Sequence, residues 1–248
     1  MKESAMRAVW CALSGLLALP LACGGEPPDI ADPGGPTVVE RGPISLGGDL
    51  APTAPNRAAD QADETIRSAL GNGGGGDPKV IYLQYADGTG QASGNYDACM
   101  GAKAPKFVCS FAPTLAECQK QIQVYLDRWY ADFNVIFTLT RPTSGKYYSE
   151  VVSSGGGAWC KVADNVAGVA PFLCKDLQGG VAYTFEGGAS AKQTAVIIAQ
   201  EQAHLLGLEH TTSAHDLMLP TICTDCDGFE NDDVPVTGDR CDRATQNS

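Results

Sequence analysis

An α+β domain is what this sequence predicts, and three observations predict it. Two stretches, residues 114–133 and 191–208, place apolar side chains at helical spacing. Around them lie five short runs rich in β-branched and aromatic residues, set apart by glycines and loops. Eight cysteines fall between positions 99 and 241, three of them beyond residue 208, where apolar runs are few. The expectation is therefore two main helices, several short strands and a disulfide-rich C-terminal cap.

The chain opens "MKESAMRAVWCALSGLLALPLACGG": Lys2 and Arg7, an apolar run over residues 8–21, then small residues around a cysteine. This reads as a signal peptide, residues 1–22, too short to be a spanning helix. Its end, "PLAC", resembles a bacterial lipoprotein signal, which would make Cys23 a lipidated first residue. The alternative is plain cleavage and release. Either way the chain is exported, to an outer membrane or cell surface or to the medium. Its only expected membrane contact is an N-terminal lipid.

Residues 23–77 are rich in Gly, Pro and Asp without a sustained hydrophobic period, and read as a flexible tether. A short helix is possible over residues 56–70, before "GNGGGGDP" cuts it off. The compact domain, residues 78–248, begins with a strand, "KVIYLQY", at 79–85. Next comes the first main helix, with Thr114 and Glu117 as a capping box and Leu115, Cys118, Ile122, Tyr125, Leu126 and Trp129 on its apolar face. Strands are expected at 134–140, 147–153, 166–172 and 179–185. Ser190 can cap the second helix, which is apolar on nearly all sides, as a helix lodged inside a domain should be, and Gly207 ends it.

The net charge of −12, with 17 scattered basic residues, argues against a nucleic-acid partner. Cys11 leaves with the signal, and the eight remaining cysteines on an exported chain point to disulfides. Eight cysteines allow 105 pairings, and a local pair such as Cys160 with Cys174 is the expectation. The Cys223-x-x-Cys226 pair could hold zinc or do redox work, but with export and only Cys241 nearby it reads as a bridge.

Chemistry concentrates in "AQEQAHLLGLEH", residues 199–210. Gln200 and His204 are four apart, so a metal could touch both from one helix face. Glu201 would sit beside that metal, where a carboxylate can take a proton from water. Gly207 lets the chain turn and bring His210 back. The pattern resembles the metzincin clan of zinc endopeptidases, H-E-x-x-H-x-x-G-x-x-H followed by a methionine turn, with Gln200 in place of the first histidine. "HTTSAHDLMLP" puts Met218 eight residues after His210 and Pro220 behind it, a spacing similar to that of the matrix metalloproteinase branch. The order of elements, a strand, a long helix, several strands and then the metal-binding helix, also fits.

The resemblance implies a zincin-like fold with a twisted mixed sheet. It further implies zinc held by Gln200, His204 and His210, Glu201 as general base, Met218 in a structural turn and a peptide or protein substrate. A monomer is expected. His215, three residues before Met218, could supply the nitrogen that Gln200 lacks. Three readings stand side by side: a working metallopeptidase, a zincin-fold protein that binds or supports without catalysis, and a buried helix with ordinary histidines. Apart from this motif, "DCDGFENDD" at 225–233 crowds carboxylates as calcium sites do, without the EF-hand spacing; a solvated acidic loop is the plainer reading.

Overall fold

The strand-forming runs pair into one sheet in the computed structural model, which describes residues 36–40, 77–91, 94–185, 188–238 and 240–248. Its strands are β1 (Pro36–Glu40), β2 (Lys79–Tyr85), β3 (Tyr96–Asp97), β4 (Val135–Thr138), β5 (Tyr148–Val152), β6 (Val166–Pro171) and β7 (Gly180–Thr184). Their order is β1-β6-β7-β5-β2-β4, with β3 beside β7. The sheet is mostly parallel: β4, β2, β5 and β7 run together, while β6 is antiparallel to β7 and β1 antiparallel to β6. Parallel neighbours need a crossover, and helix α1 (Leu115–Trp129) supplies the one between β2 and β4. Its first turn is capped as expected, Thr114 Oγ1 accepting from the Glu117 amide at 3.2 Å.

Every residue of β5, β6 and β7 is buried, as in a parallel sheet covered on both faces. Side chains alternate between two cores. Tyr148 and Val152 of β5 and Ala182 of β7 join Ile122, Leu126, Val196 and Ile198 of the helices on one side. Val151, Val181 and Tyr183 turn the other way, into a layer with Val166, Val169 and Phe185, where Trp159 packs on the rings of Tyr183 and Phe185. Helix α2 (Ala191–Leu205) lies on the first face, capped by Ser190, whose hydroxyl accepts from the Gln193 amide. All but Lys192 and Gln193 of α2 is buried.

Beyond α2 the chain is irregular, with one small ladder of β8 (Val234–Pro235) on β9 (Thr245–Gln246). Among the described residues four disulfides join Cys99 to Cys160, Cys109 to Cys118, Cys174 to Cys241 and Cys223 to Cys226. The expected Cys160–Cys174 bridge is not formed. Cys160 belongs to the face away from the helices, 5.0 Å in Cα separation from Cys99, whereas Cys174 follows β6 and lies 5.3 Å from Cys241 of the C-terminal tail. The tether also departs from expectation: residues 36–40 are a strand, because β6 offers them an edge. The proposed helix at 56–70 and Cys23 lie outside the described residues. No helix among the described residues is long and apolar enough to cross a membrane.

Candidate metal and catalytic site

Helical spacing puts Gln200 and His204 on one face of α2, and the turn after it returns His210 to them. Gly207 makes that turn at φ +95°, in the left-handed region, and a Cβ there would lie 3.0 Å from the Lys175 backbone nitrogen. The C-terminal tail then holds the segment. Arg243 donates to the Gly207 carbonyl and to Glu209 Oε2, and Gln246 pairs with both the amide and the carbonyl of Glu209. The Thr237 amide donates to the His210 carbonyl at 2.9 Å. The Cys174–Cys241 disulfide ties the same tail to the chain after β6.

The outcome is a histidine pair with Nε2 atoms 3.0 Å apart. His204 Nδ1 lies 2.7 Å from the Leu208 carbonyl oxygen, which only accepts, so Nδ1 carries the proton and the Nε2 lone pair faces His210. Burial drives the His204 imidazole well below its usual titration range, and His210 opposite adds to this. His210 is pushed down to about 4, by burial first and then by Arg240. Both rings are therefore neutral at pH 7 and able to ligate. Two nitrogens at about 2.0–2.1 Å from one tetrahedral zinc would be about 3.3 Å apart, close to the separation observed.

Gln200 is fully buried and donates its amide NH2 to the Leu219 carbonyl. That bond turns Oε1 the other way, where it has no hydrogen-bond partner among the described residues. Neither Glu201 oxygen has one, and Gln202 Oε1 is likewise unpaired. Four orphaned acceptors on three consecutive residues is unusual for a protein interior, where such groups are nearly always satisfied. Glu201 is pressed against β6: a Cβ at Gly168 would come within 2.7 Å of Glu201 Oε1. Burial pushes its carboxyl well above the usual carboxylate range, and Glu150 adds to the shift.

Glu150 is the residue that the sequence reading missed. It lies on β5, wholly buried under α2, accepting from Thr184 Oγ1 at 2.8 Å and from Gln202 Nε2 at 2.6 Å. Burial raises its carboxyl to about 8, against those two hydrogen bonds. The available signal was a single carboxylate inside the strand run "YYSEVVS". Tyr130, also unflagged, donates to the Ala199 carbonyl at 2.8 Å and fixes the middle of α2.

Met218 is buried in the loop that follows His210. Its carbonyl accepts from the Thr211 amide at 2.9 Å, and its own amide donates to Asp216 Oδ1 at 3.1 Å. His215 is exposed on that loop. In the acidic segment Asp227 pairs with Arg128 at 2.7 Å, and Phe229 packs edge-on against Tyr130 and Phe133. Among the described residues no group of three or more His, Cys, Asp or Glu side chains is placed to hold a metal ion. The candidate donor set is two imidazoles and an amide oxygen. Comparison with known families, with curated proteins and with solved structures finds no match.

Proposed function

We propose that this protein is an exported, zinc-dependent endopeptidase of the metzincin kind, anchored through Cys23 and acting on extended peptides. The observation that carries the reading is the approach of two neutral imidazoles, the buried His204 and the half-buried His210, to 3.0 Å between their Nε2 atoms, at the end of the helix that also carries Gln200 and Glu201 with unpaired oxygens. Those donors fit zinc: His204 and His210 as nitrogen ligands, Gln200 Oε1 as a weaker third, and the Leu208 carbonyl orienting His204 from behind. Zinc held there would supply Lewis-acid activation of water and of the scissile carbonyl.

Glu201 serves as the base. Desolvation makes its carboxylate costly on its own, a neighbouring cation favours it, and a carboxylate so placed takes a proton from the attacking water. In support of this reading, Glu201 rests against Gly168 of β6 and the Thr237 amide holds the His210 carbonyl, contacts that need no substrate. The test is release of fluorescence from labelled unfolded casein. The zinc-loaded protein should hydrolyse it, and Glu201→Gln should slow the reaction by about 10²–10⁴ with zinc content unchanged. Undiminished hydrolysis by the variant would remove Glu201 from this role.

A second reading, a non-catalytic surface module on the same fold, is favoured by one observation. Gln200 joins α2 to the Leu219 carbonyl, a structural task that needs no metal. It predicts no hydrolysis, whether or not zinc is bound.

A further inference from the structure

We propose that residues 36–40 are an intramolecular blocking strand, occupying on β6 the place where an extended peptide would bind, and that displacing them opens the site. What they block rests on the peptidase reading; that they occupy a peptide-binding edge does not. β1 is the outermost strand, antiparallel to β6, with Pro36 opposite Pro171, Val38 opposite Val169 and Val39 opposite Gly168. Without it, β6 would present its free backbone groups along one side, the template that extended peptides use when they add to a sheet.

This edge passes beside the candidate site. Gly168, the partner of Val39, is the residue whose missing Cβ makes room for Glu201. A strand on β6 therefore runs about 4.8 Å, one strand spacing, from the backbone against which Glu201 rests. The register also breaks there: Val39 pairs with Gly168 and Glu40 with Val166, which leaves Ala167 out of step. A bulge beside a functional residue is a common way to re-aim the local backbone.

β1 is joined to the rest of the sheet by a long connection without cysteines. No cysteine occurs from residue 24 to residue 98, so only the main chain joins β1 to the disulfide-linked domain. It is flanked by "DPGGP" and "RGP", and residues 41–78 separate it from β2. One cut in that stretch would leave β1 held by its ladder alone. A tethered strand has an effective concentration of about 1 mM, so against a Kd on the order of 0.1 mM it would suppress access about tenfold.

The experiment uses the chain from residue 24 to residue 248, as wild type and as Val38→Pro/Val39→Pro, which removes two amides from β1. Two readouts are taken: binding of a fluorescent peptide of sequence GGPTVVERG, and hydrolysis of labelled unfolded casein. The proposal predicts that the variant binds the peptide saturably while the wild type does not, and that the variant hydrolyses casein about tenfold faster. Peptide binding should survive Glu201→Gln. Binding by the variant with no hydrolysis by any form would sustain the blocking strand and defeat the peptidase reading. Equal hydrolysis by both forms with no peptide binding would overturn the blocking strand and leave the peptidase reading standing. Should the double proline disturb folding, seen as loss of near-ultraviolet dichroism, cleavage at a site-specific protease sequence inserted within residues 41–77 replaces it; peptide binding and faster hydrolysis after the cut sustain the blocking strand, and their absence overturns it.

Discussion

Replacing Gly168 by Ala tests the seat of Glu201. The new Cβ would lie 2.7 Å from Glu201 Oε1, 2.7 Å from Ile197 Cγ2 and 2.8 Å from Glu201 Cγ. Real Cβ atoms do not tolerate such contacts, so something must move. Both neighbours are wholly buried and both belong to α2, so relief requires the helix to shift away from β6 or Glu201 to leave its rotamer. Overpacking of this kind costs about 1–3 kcal/mol. For a domain of this size that is a Tm lower by roughly 2–12 °C. A displacement near 1 Å at a reacting group can cost about a hundredfold in rate, so casein hydrolysis should fall more than stability does. Gly90→Ala is the control, since its Cβ would meet nothing within 4 Å. Thermal denaturation followed by circular dichroism, with casein hydrolysis at a temperature well below both transitions, reads both effects. A Gly168→Ala protein that melts with the wild type and keeps its rate would refute the placement of Glu201 against β6.

Glu150 makes stability depend on pH. Its folded-state carboxyl titrates at about 8 against an ordinary 4.5, so its contribution is fully present below about 4.5 and is lost as pH rises through 8. Glu150→Gln should flatten the fall in Tm between about pH 5 and pH 8; an unchanged slope would show that Glu150 is not its source. Opening the Cys174–Cys241 bridge with Cys174→Ser/Cys241→Ser removes a cross-link 67 residues apart and should cost about 2–4 kcal/mol in urea denaturation. Because that bridge anchors the tail holding His210, zinc affinity should fall as well; intact affinity would mean the ladder and Arg243 suffice.

Much of the sheet and both helices were legible because their signals are local. The β-branched runs at 79–85, 134–140, 147–153, 166–172 and 179–185 each hold a strand, four of the five shorter than the run, and Thr114 and Ser190 capped the helices as their side chains predict. Gly207, His204 and His210 were legible as a turn with two converging imidazoles. What was not legible depends on contacts between distant residues. β1 has only five residues between Gly/Pro breaks, and it is a strand because β6 supplies an edge. Glu150 could not be assigned to the interior because a strand covered on both faces shows no polar/apolar alternation. The cysteine pairing followed from which face of the sheet each loop covers, which sequence spacing does not reveal.

That Gln200, His204 and His210 hold zinc is a claim open to metal titration of the purified chain. Isothermal titration with zinc at pH 7, alongside Gln200→His and His204→Ala, should show about one site per chain in the wild type. Gln200→His should bind more tightly by at least the roughly 10- to 100-fold that a partner behind a ligand is worth, since here the ligand itself changes from an amide oxygen to an imidazole, and His204→Ala should lose the site. A wild-type chain that takes up no zinc, or zinc binding indifferent to both substitutions, would contradict the claim.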